Sequence, residues 1–274
     1  MSKLLFFDID GTLCMPGEAP TERTISAIRR ARAQGNRCFL STGRNITSIP
    51  QPVGEIGFDG YITNAGATAQ VGEELLLSVP IAPELLEYTM EQFQKNRACC
   101  VLQTNRGNYC DYSQIDRVWE HRPPEIDAYV EFTNRLLDVR ELSRRLPDEA
   151  VYKICFYTPD EAGYHRLRRS LSPYYSFTMF DNLFDSITLI SGEVNQLCVD
   201  KGRALNAFCA HFGMDPADCV AFGDSTNDLE MIRGAGIGVA MANAQPEVKQ
   251  YADLIAPPCQ QDGVAQVLEQ MGLA

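Results

Sequence analysis

The stretch "LLFFDIDGTL", residues 4–13, decides the fold because it joins a buried strand to a turn that carries two acids. The run from Leu4 to Phe7 is apolar without polar alternation, which is typical of a strand in a parallel sheet covered on both faces. Asp8 and Asp10 follow directly, and Gly11 allows the chain to turn. Open parallel sheets bind ligands beyond the carboxyl ends of their strands. The stretch therefore predicts a functional site after the first strand.

The residues that follow complete a βαβ unit. The segment TERTISAIRRARAQG, residues 21–35, has an N-cap residue in Thr21, apolar residues at Ile25 and Ile28, and a stop at Gly35. The apolar run RCFLS then predicts a second buried strand. We therefore expect an α/β protein whose core is a Rossmann-like, doubly wound parallel sheet.

The same rhythm returns near the end of the chain, after a segment of different character. Helix and strand signals alternate again from Lys201, through KGRALNAFCAHFG, DCVAFGDS, IGVAM and GVAQVLEQMG. Between the two parts, helices mix with antiparallel strand signals, which predicts an inserted α+β cap domain. We expect the catalytic core in residues 1–82 and 191–274 and the insert in residues 83–190. The insert includes a loop at 117–132 and a helix near 138–146.

Composition excludes several functional classes. The 274 residues carry a net charge of −12, which disfavours nucleic acids and anionic membrane surfaces as partners. The sequence has no signal-peptide core and no apolar run of membrane-spanning length, so we expect a cytoplasmic protein. Ten cysteines without a CxxC pair indicate free thiols rather than a zinc site. The histidines belong to no motif, and the loop around Trp119, His121 and Arg122 either packs its aromatic rings or faces a substrate.

Polar groups follow three of the predicted buried strands. Asp8 and Asp10 follow the first strand, the segment 41–44 (Ser-Thr-Gly-Arg) follows the second, and Asp224 follows a late strand. Each segment alone is more often a solvated turn or a helix cap. Together they predict a cluster, and clustered carboxylates repel one another unless a cation neutralises them.

Four motifs resemble those of the haloacid dehalogenase superfamily: DIDGTL at 8–13, LSTGR at 40–44, DKG at 200–202 and GDSTND at 223–228. The place of the insert, with TNAGA at 63–67, GVAMANA at 238–244 and DGVAQVL at 262–268, resembles the Cof-like sugar-phosphatase branch. Two features depart from the family pattern. Asp200 stands where the family commonly has Ser or Asn, and the approach to Lys201 is longer or shifted.

The resemblance implies a role for each motif residue. Asp8 is the expected nucleophile, and Asp10 the acid that protonates the leaving group and then activates water. Mg²⁺ is the expected cofactor, and Asp228 either binds it or bonds its waters or Lys201. Asn227 either reaches the phosphate or caps a helix, and Arg44 either contacts substrate or forms a structural salt bridge.

The expected metal residues are Asp8, Asp10, Asp224 and Asp228. The expected catalytic residues are Asp8, Asp10, Thr42 and Lys201. The expected phosphate-binding residues are Asp10, Gly11, Thr42, Gly43, Arg44, Lys201 and Asn227.

The expected function is Mg²⁺-dependent hydrolysis of small phosphorylated metabolites, above all sugar phosphates, through an aspartyl-phosphate. One alternative is a phosphotransferase or phosphomutase that uses the same intermediate. Another is a ligand-binding regulator on a retired catalytic fold. Against the second alternative, the acids, the threonine and the lysine of all four motifs are present.

Overall fold

The computed structural model describes residues 2–110, 136–138, 149–158, 160–179 and 190–274. The chain divides into two compact units: Met1–Ser78 with Asp200–Ala274, and Val79–Val199. The expected insert ends at residue 190. In the structure the strand Ile190–Gln196 pairs inside the sheet of the second unit, so that unit ends later in the chain.

The described residues contain strands and helices in regular succession. The strands are β1 (Leu4–Phe7), β2 (Arg37–Ser41), β3 (Gly60–Thr63), β4 (Thr68–Val71), β5 (Glu74–Ser78), β6 (Cys99–Thr104), β7 (Asn108–Cys110), β8 (Leu136–Asp138), β9 (Val151–Thr158), β10 (Tyr175–Met179), β11 (Ile190–Gln196), β12 (Cys219–Gly223), β13 (Ile237–Met241) and β14 (Leu254–Ala256). The α-helices are α1 (Glu22–Ala33), α2 (Gln51–Gly54), α3 (Pro83–Lys95), α4 (Glu161–Leu171), α5 (Lys201–Phe212), α6 (Leu229–Gly234), α7 (Pro246–Lys249) and α8 (Gly263–Gln270).

The first unit is built on a sheet with the strand order β14-β13-β12-β1-β2-β3-β4-β5. Strands β14 to β3 in this order are parallel, and β4 and β5 add an antiparallel hairpin at one edge. Strand β1 lies in the interior of the sheet, where Leu4 is in register with Arg37 on one side and Cys219 on the other. The two ends of the chain thus share one sheet.

Both faces of this sheet are buried at β1. Leu5 and Phe7 of β1 pack with α1 and α8 on one face, while Leu4 and Phe6 pack with α5 and α6 on the other. All four side chains of β1 are fully buried. An apolar run without polar alternation is what such a two-sided position requires.

The helix ends follow the local sequence. The Thr21 side chain caps α1 by accepting from the Thr24 N–H, and α5 ends at Gly213 in the left-handed region (φ 63°). The Asp200 carboxylate accepts from the Arg203 N–H at 2.7 Å and caps α5. Asp, Ser and Asn are all favoured at this position. The departure from the family pattern at Asp200 therefore preserves the helix cap.

The second unit has a separate sheet of order β10-β11-β9-β6-β7-β8. Its pairs are antiparallel except β7 with β8, and helices α3 and α4 contribute to its apolar core. The predicted loop with Trp119, His121 and Arg122 lies outside the described residues. So does most of the predicted helix near 138–146, whose first residue, Asp138, ends β8. Among the described helices, none has the length and apolar character needed to cross a membrane.

Candidate active site

The predicted motif segments meet at one edge of the first sheet. Strand β1 lies between β12 and β2 and all three run parallel, so the segments that follow them emerge side by side. Asp8 and Asp10 follow β1, Thr42 follows β2, and Asp224 follows β12. Helix α5 begins with Lys201 and brings its ammonium group to Asp8.

Three carboxylates form a compact cluster at this edge. One oxygen from each of Asp8, Asp224 and Asp228 lies within 4.8 Å of the other two. Asp8 and Asp228 are buried, and Asp224 is half-buried. Buried anions this close together are unfavourable without a compensating cation. The donor set suits a hard divalent ion, which prefers carboxylate oxygens.

Lys201 is fully buried and bonds two of these acids. Its Nζ donates to Asp8 Oδ1 at 2.7 Å and to Asp228 Oδ1 at 2.6 Å. A lysine at a helix N-terminus is disfavoured by the helix dipole, and here the two carboxylates compensate. The next residue, Gly202, allows close approach to α6, because a Cβ there would lie 2.6 Å from the Glu230 carbonyl oxygen.

Asp228 anchors the turn that carries Asp224. Its Oδ2 accepts from the N–H of Asp224 at 3.0 Å and from that of Ser225 at 3.1 Å. Its other oxygen accepts from Lys201. Gly223 makes this arrangement possible, since a Cβ there would lie 2.4 Å from the Asp228 Cβ. Both oxygens of Asp228 are thus used in holding its neighbours.

Burial and like charge shift the pKa values in the cluster. Burial raises the pKa of Asp8 well above its usual range. Lys201 opposes this, whereas Asp228, Asp224 and Asp10 add to it. Burial, followed by the charge of Asp228, raises the pKa of Asp224 to about 7. Burial alone would lower the pKa of Lys201, but Asp228 and Asp8 outweigh it and raise that pKa, so the lysine stays charged.

Asp10 takes a different partner. Arg44 donates from Nε to Asp10 Oδ2 and from Nη2 to Asp10 Oδ1, both at 2.7 Å, which makes a two-pronged ion pair. The Asp10 side chain is 34% exposed and that of Arg44 is 15% exposed. Of the two roles left open for Arg44, the structure displays the salt bridge.

The remaining predicted residues occupy the same edge. Thr42 is buried, and its Oγ1 accepts from the Arg44 N–H at 3.1 Å. Gly43 lies between these two residues. Asn227 lies in the turn before α6, where its Oδ1 accepts from the Ser225 hydroxyl at 2.8 Å.

A left-handed turn after β3 supports both Thr42 and the start of α5. Asn64, Ala65 and Gly66 all have positive φ, and Ala65 donates its N–H to the Thr42 carbonyl at 3.1 Å. A Cβ at Gly66 would lie 2.3 Å from the Asp200 carbonyl oxygen. At the non-glycine residues Asn64 and Ala65 such a backbone costs about 1–3 kcal/mol each and persists where the surroundings enforce it.

A family model of haloacid dehalogenase-like hydrolases matches residues 5–268. The chain belongs to this family. It is 30% identical over 253 residues to an HMP-PP phosphatase of Klebsiella pneumoniae, covering 91% of this chain and 87% of that relative. It is also 30% identical over 259 residues to an HMP-PP phosphatase of Cronobacter sakazakii, covering 90% of this chain and 87% of that relative.

Solved structures of the haloacid dehalogenase family share the fold. A phosphatase from Bacteroides thetaiotaomicron superposes with a TM-score of 0.79 at 25% identity, covering 100% of this chain and 96% of that one. A sugar phosphatase of subclass IIB superposes with a TM-score of 0.79 at 26% identity, covering 100% of both chains. These comparisons confirm the predicted doubly wound fold, the Cof-like branch of the family and the prediction of a phosphatase.

Two residues that contact the acid cluster were not singled out by the sequence analysis. The hydroxyl of Thr12 donates to Asp224 Oδ1 at 3.2 Å. The Nδ2 of Asn243 donates to the Gly11 carbonyl at 3.0 Å and to Asp224 Oδ2 at 3.3 Å. Thr12 lies in the motif DIDGTL and Asn243 in GVAMANA, but the sequence analysis assigned neither residue a role. The available signal was that β13 neighbours β12, so a polar residue after β13 can reach Asp224.

Proposed function

We propose that this protein is a Mg²⁺-dependent phosphomonoesterase that forms an aspartyl-phosphate on Asp8. The observation that carries the proposal is the cluster of Asp8, Asp224 and Asp228 around the buried ammonium group of Lys201. Three carboxylates and one ammonium leave a net negative charge, which a divalent cation would offset. Family membership supports the same reaction class.

The residues at the cluster fit a magnesium ion. Asp8, Asp224 and the backbone carbonyl of Asp10 would hold it, while Asp228, with both oxygens engaged, would hold Lys201 and the Asp224 backbone. Gly11 keeps space beside Asp224, since a Cβ there would lie 2.3 Å from Asp224 Oδ2. When bound, the ion would offset the charge of the phosphate dianion and polarise its P–O bonds.

Asp8 is the proposed nucleophile. A carboxylate oxygen of Asp8 bonds to phosphorus as the ester P–O bond breaks, and the electron pair leaves with the alkoxide. Lys201 remains hydrogen bonded to Asp8 and supplies positive charge to the phosphoryl oxygens, with Thr42 as a further donor. Water then attacks the phosphorus of the aspartyl-phosphate, the bond between phosphorus and the Asp8 oxygen breaks, and inorganic phosphate leaves as the Asp8 carboxylate is restored.

Asp10 is the proposed proton carrier. As an acid it gives a proton to the departing alkoxide, and as a base it takes one from the attacking water. Arg44 holds its carboxylate by both oxygens. Because Arg44 occupies both oxygens of Asp10, the pair must loosen before Asp10 can deliver a proton. A phosphate dianion provides the competing partner for Arg44.

We propose small phosphorylated metabolites as the substrates, with sugar phosphates foremost. Relatives are named HMP-PP phosphatase and sugar phosphatase. The net charge of −12 disfavours polyanions such as nucleic acids. The inserted domain remains the predicted source of specificity. A phosphotransferase or phosphomutase with the same intermediate would pass the phosphoryl group to a hydroxyl instead of water.

Hydrolysis of p-nitrophenyl phosphate tests the proposal. We expect turnover with Mg²⁺, loss of turnover with EDTA, and loss in Asp8→Asn. Asp215→Asn is the matched control, because Asp215 caps a short helix through the Ala217 N–H and Asn caps equally well. Borohydride reduction during turnover should convert Asp8 to homoserine, detectable by peptide mass. Turnover that persists in EDTA or in Asp8→Asn would refute the mechanism, and phosphate transfer to added polyols without release of inorganic phosphate would favour the phosphotransferase.

A further inference from the structure

Asp224 directly follows β12, so its side chain can be contacted from the segments on both sides of it. Strand β12 lies between β13 and β1, so the segment after β12 has the segments after β13 and β1 as its neighbours. Each neighbour sends one hydrogen-bond donor to the Asp224 carboxylate. Thr12, from the β1 side, donates to Oδ1 and Asn243, from the β13 side, donates to Oδ2.

The Asn243 amide also bonds the turn of the first motif. Its Nδ2 donates to the Gly11 carbonyl at 3.0 Å as well as to Asp224 Oδ2 at 3.3 Å. Both partners are acceptors, so only the nitrogen end of the amide can serve them. One side chain therefore links the segment after β1 to the segment after β12.

The turn that carries Asn243 is itself held in place. The Ala242 N–H donates to the Ala256 carbonyl at 2.7 Å, and Lys249 Nζ donates to the Ala242 carbonyl at 2.5 Å. The Gln245 N–H donates to the Asp224 carbonyl at 3.2 Å. These bonds fix the backbone on both sides of Asn243, so its amide is directed at Asp224 by the fold.

We infer that Asn243 is a positioning residue that orients the Asp224 carboxylate for a divalent cation. The inference rests on the proposed function, in which Asp224 is a metal ligand. Donors that hold a ligating carboxylate are part of a metal site, and their loss typically weakens metal affinity about 10–100-fold. Asn243 would therefore set the affinity for Mg²⁺ while taking no part in bond making.

Titration calorimetry with Mg²⁺ alone tests this on the full chain. We expect Asn243→Ala to bind Mg²⁺ about tenfold more weakly than the wild type, with no change in thermal stability in EDTA, because Asn243 is exposed. Asn206→Ala is the matched control, since Asn206 is an exposed asparagine of α5 in the same unit. Thr12→Val removes the opposite donor at nearly constant volume and should weaken Mg²⁺ binding in the same direction.

Turnover of p-nitrophenyl phosphate at varied Mg²⁺ concentration distinguishes a positioning role of Asn243 from a purely structural role. For Asn243→Ala we expect a higher Mg²⁺ requirement and a wild-type kcat once Mg²⁺ saturates. An unchanged Mg²⁺ affinity, or a kcat that stays low at saturation, would overturn the inference and leave the proposed function intact. If the wild type binds no Mg²⁺ and does not hydrolyse the substrate, the proposed function fails and the inference fails with it.

Discussion

Replacing Lys201 by Met should destabilise the protein far more than the loss of an ordinary lysine. Met matches the length of the lysine stem and removes only the ammonium group. That group bonds Asp8 at 2.7 Å and Asp228 at 2.6 Å, and the lysine is 0% exposed. Removing one partner of a buried ion pair costs about 3–5 kcal/mol, because the other charge stays buried and unpaired. Here two carboxylates lose their partner, so we expect the upper part of that range.

Lys3→Met provides the matched control for this experiment. Lys3 bonds Asp218 at 3.0 Å in the same unit, but these side chains are 28% and 35% exposed. Exposed pairs of this kind contribute about 0–1 kcal/mol. Urea unfolding in EDTA measures both losses as free energies of unfolding. Should Lys201→Met fail to fold, Lys201→Gln keeps a polar donor and provides the same comparison.

The loss in Lys201→Met should grow as the pH rises. Lys201 lowers the pKa of Asp8, so its removal moves that pKa further above the usual value of 3.8. Between the unfolded pKa and this raised folded pKa, the folded state holds a proton that the unfolded state has released, and stability falls with increasing pH. The destabilisation should therefore be smaller near pH 5 than near pH 8. A loss no larger than that of Lys3→Met, or one that shrinks as the pH rises, would refute the assignment of Lys201 as the buried counter-ion.

Further predictions concern the turn, the proton carrier and the metal. Gly11→Ala should abolish Mg²⁺ binding by calorimetry, because its Cβ would lie 2.3 Å from Asp224 Oδ2, whereas Gly17→Ala, with similar positive φ and nothing within 4 Å, should keep it. Arg44→Ala should raise KM for p-nitrophenyl phosphate by about 10–100-fold, because the phosphate dianion loses the guanidinium that it would draw away from Asp10; an unchanged KM would contradict this. Mg²⁺ affinity should fall as the pH decreases through about 7, the pKa of Asp224, and an affinity constant from pH 8 to pH 5 would oppose that assignment.

Signals that extend over several residues predicted the fold well. The helix after Thr21 begins and ends close to its cap and stop residues, and β1 and β12 are buried as their apolar runs require. Three short elements near the sheet edges and loops were missed. Strand β14 has only three residues, with Leu254 and Ile255 exposed, so neither periodicity nor burial marks it. Helices α2 and α7 have four residues each, too few for an apolar stripe.

The candidate site was predicted to the extent that strand order could be inferred. Residues that directly follow buried parallel strands, such as Asp8 and Asp224, had to meet at one edge of the sheet. The partners of individual side chains depend on loop geometry, which a single sequence does not specify. A structural salt bridge of Arg44 was therefore one of two alternatives, with no partner named, and neither its pairing with Asp10 nor the contact of Asn243 with Asp224 was foreseen.

The acid cluster destabilises the folded protein, and its hydrogen bonds hold the acids in place despite their repulsion. Without a cation, Asp8 and Asp224 have raised pKa values, so ionising them near neutral pH costs folding free energy. Asp228 uses one oxygen to hold Lys201 and the other to hold the Asp224 backbone. These bonds fix the acids in position even while they repel one another. A cation that bound here would meet ligands that are already oriented, and relief of the repulsion between the acids would add to its affinity.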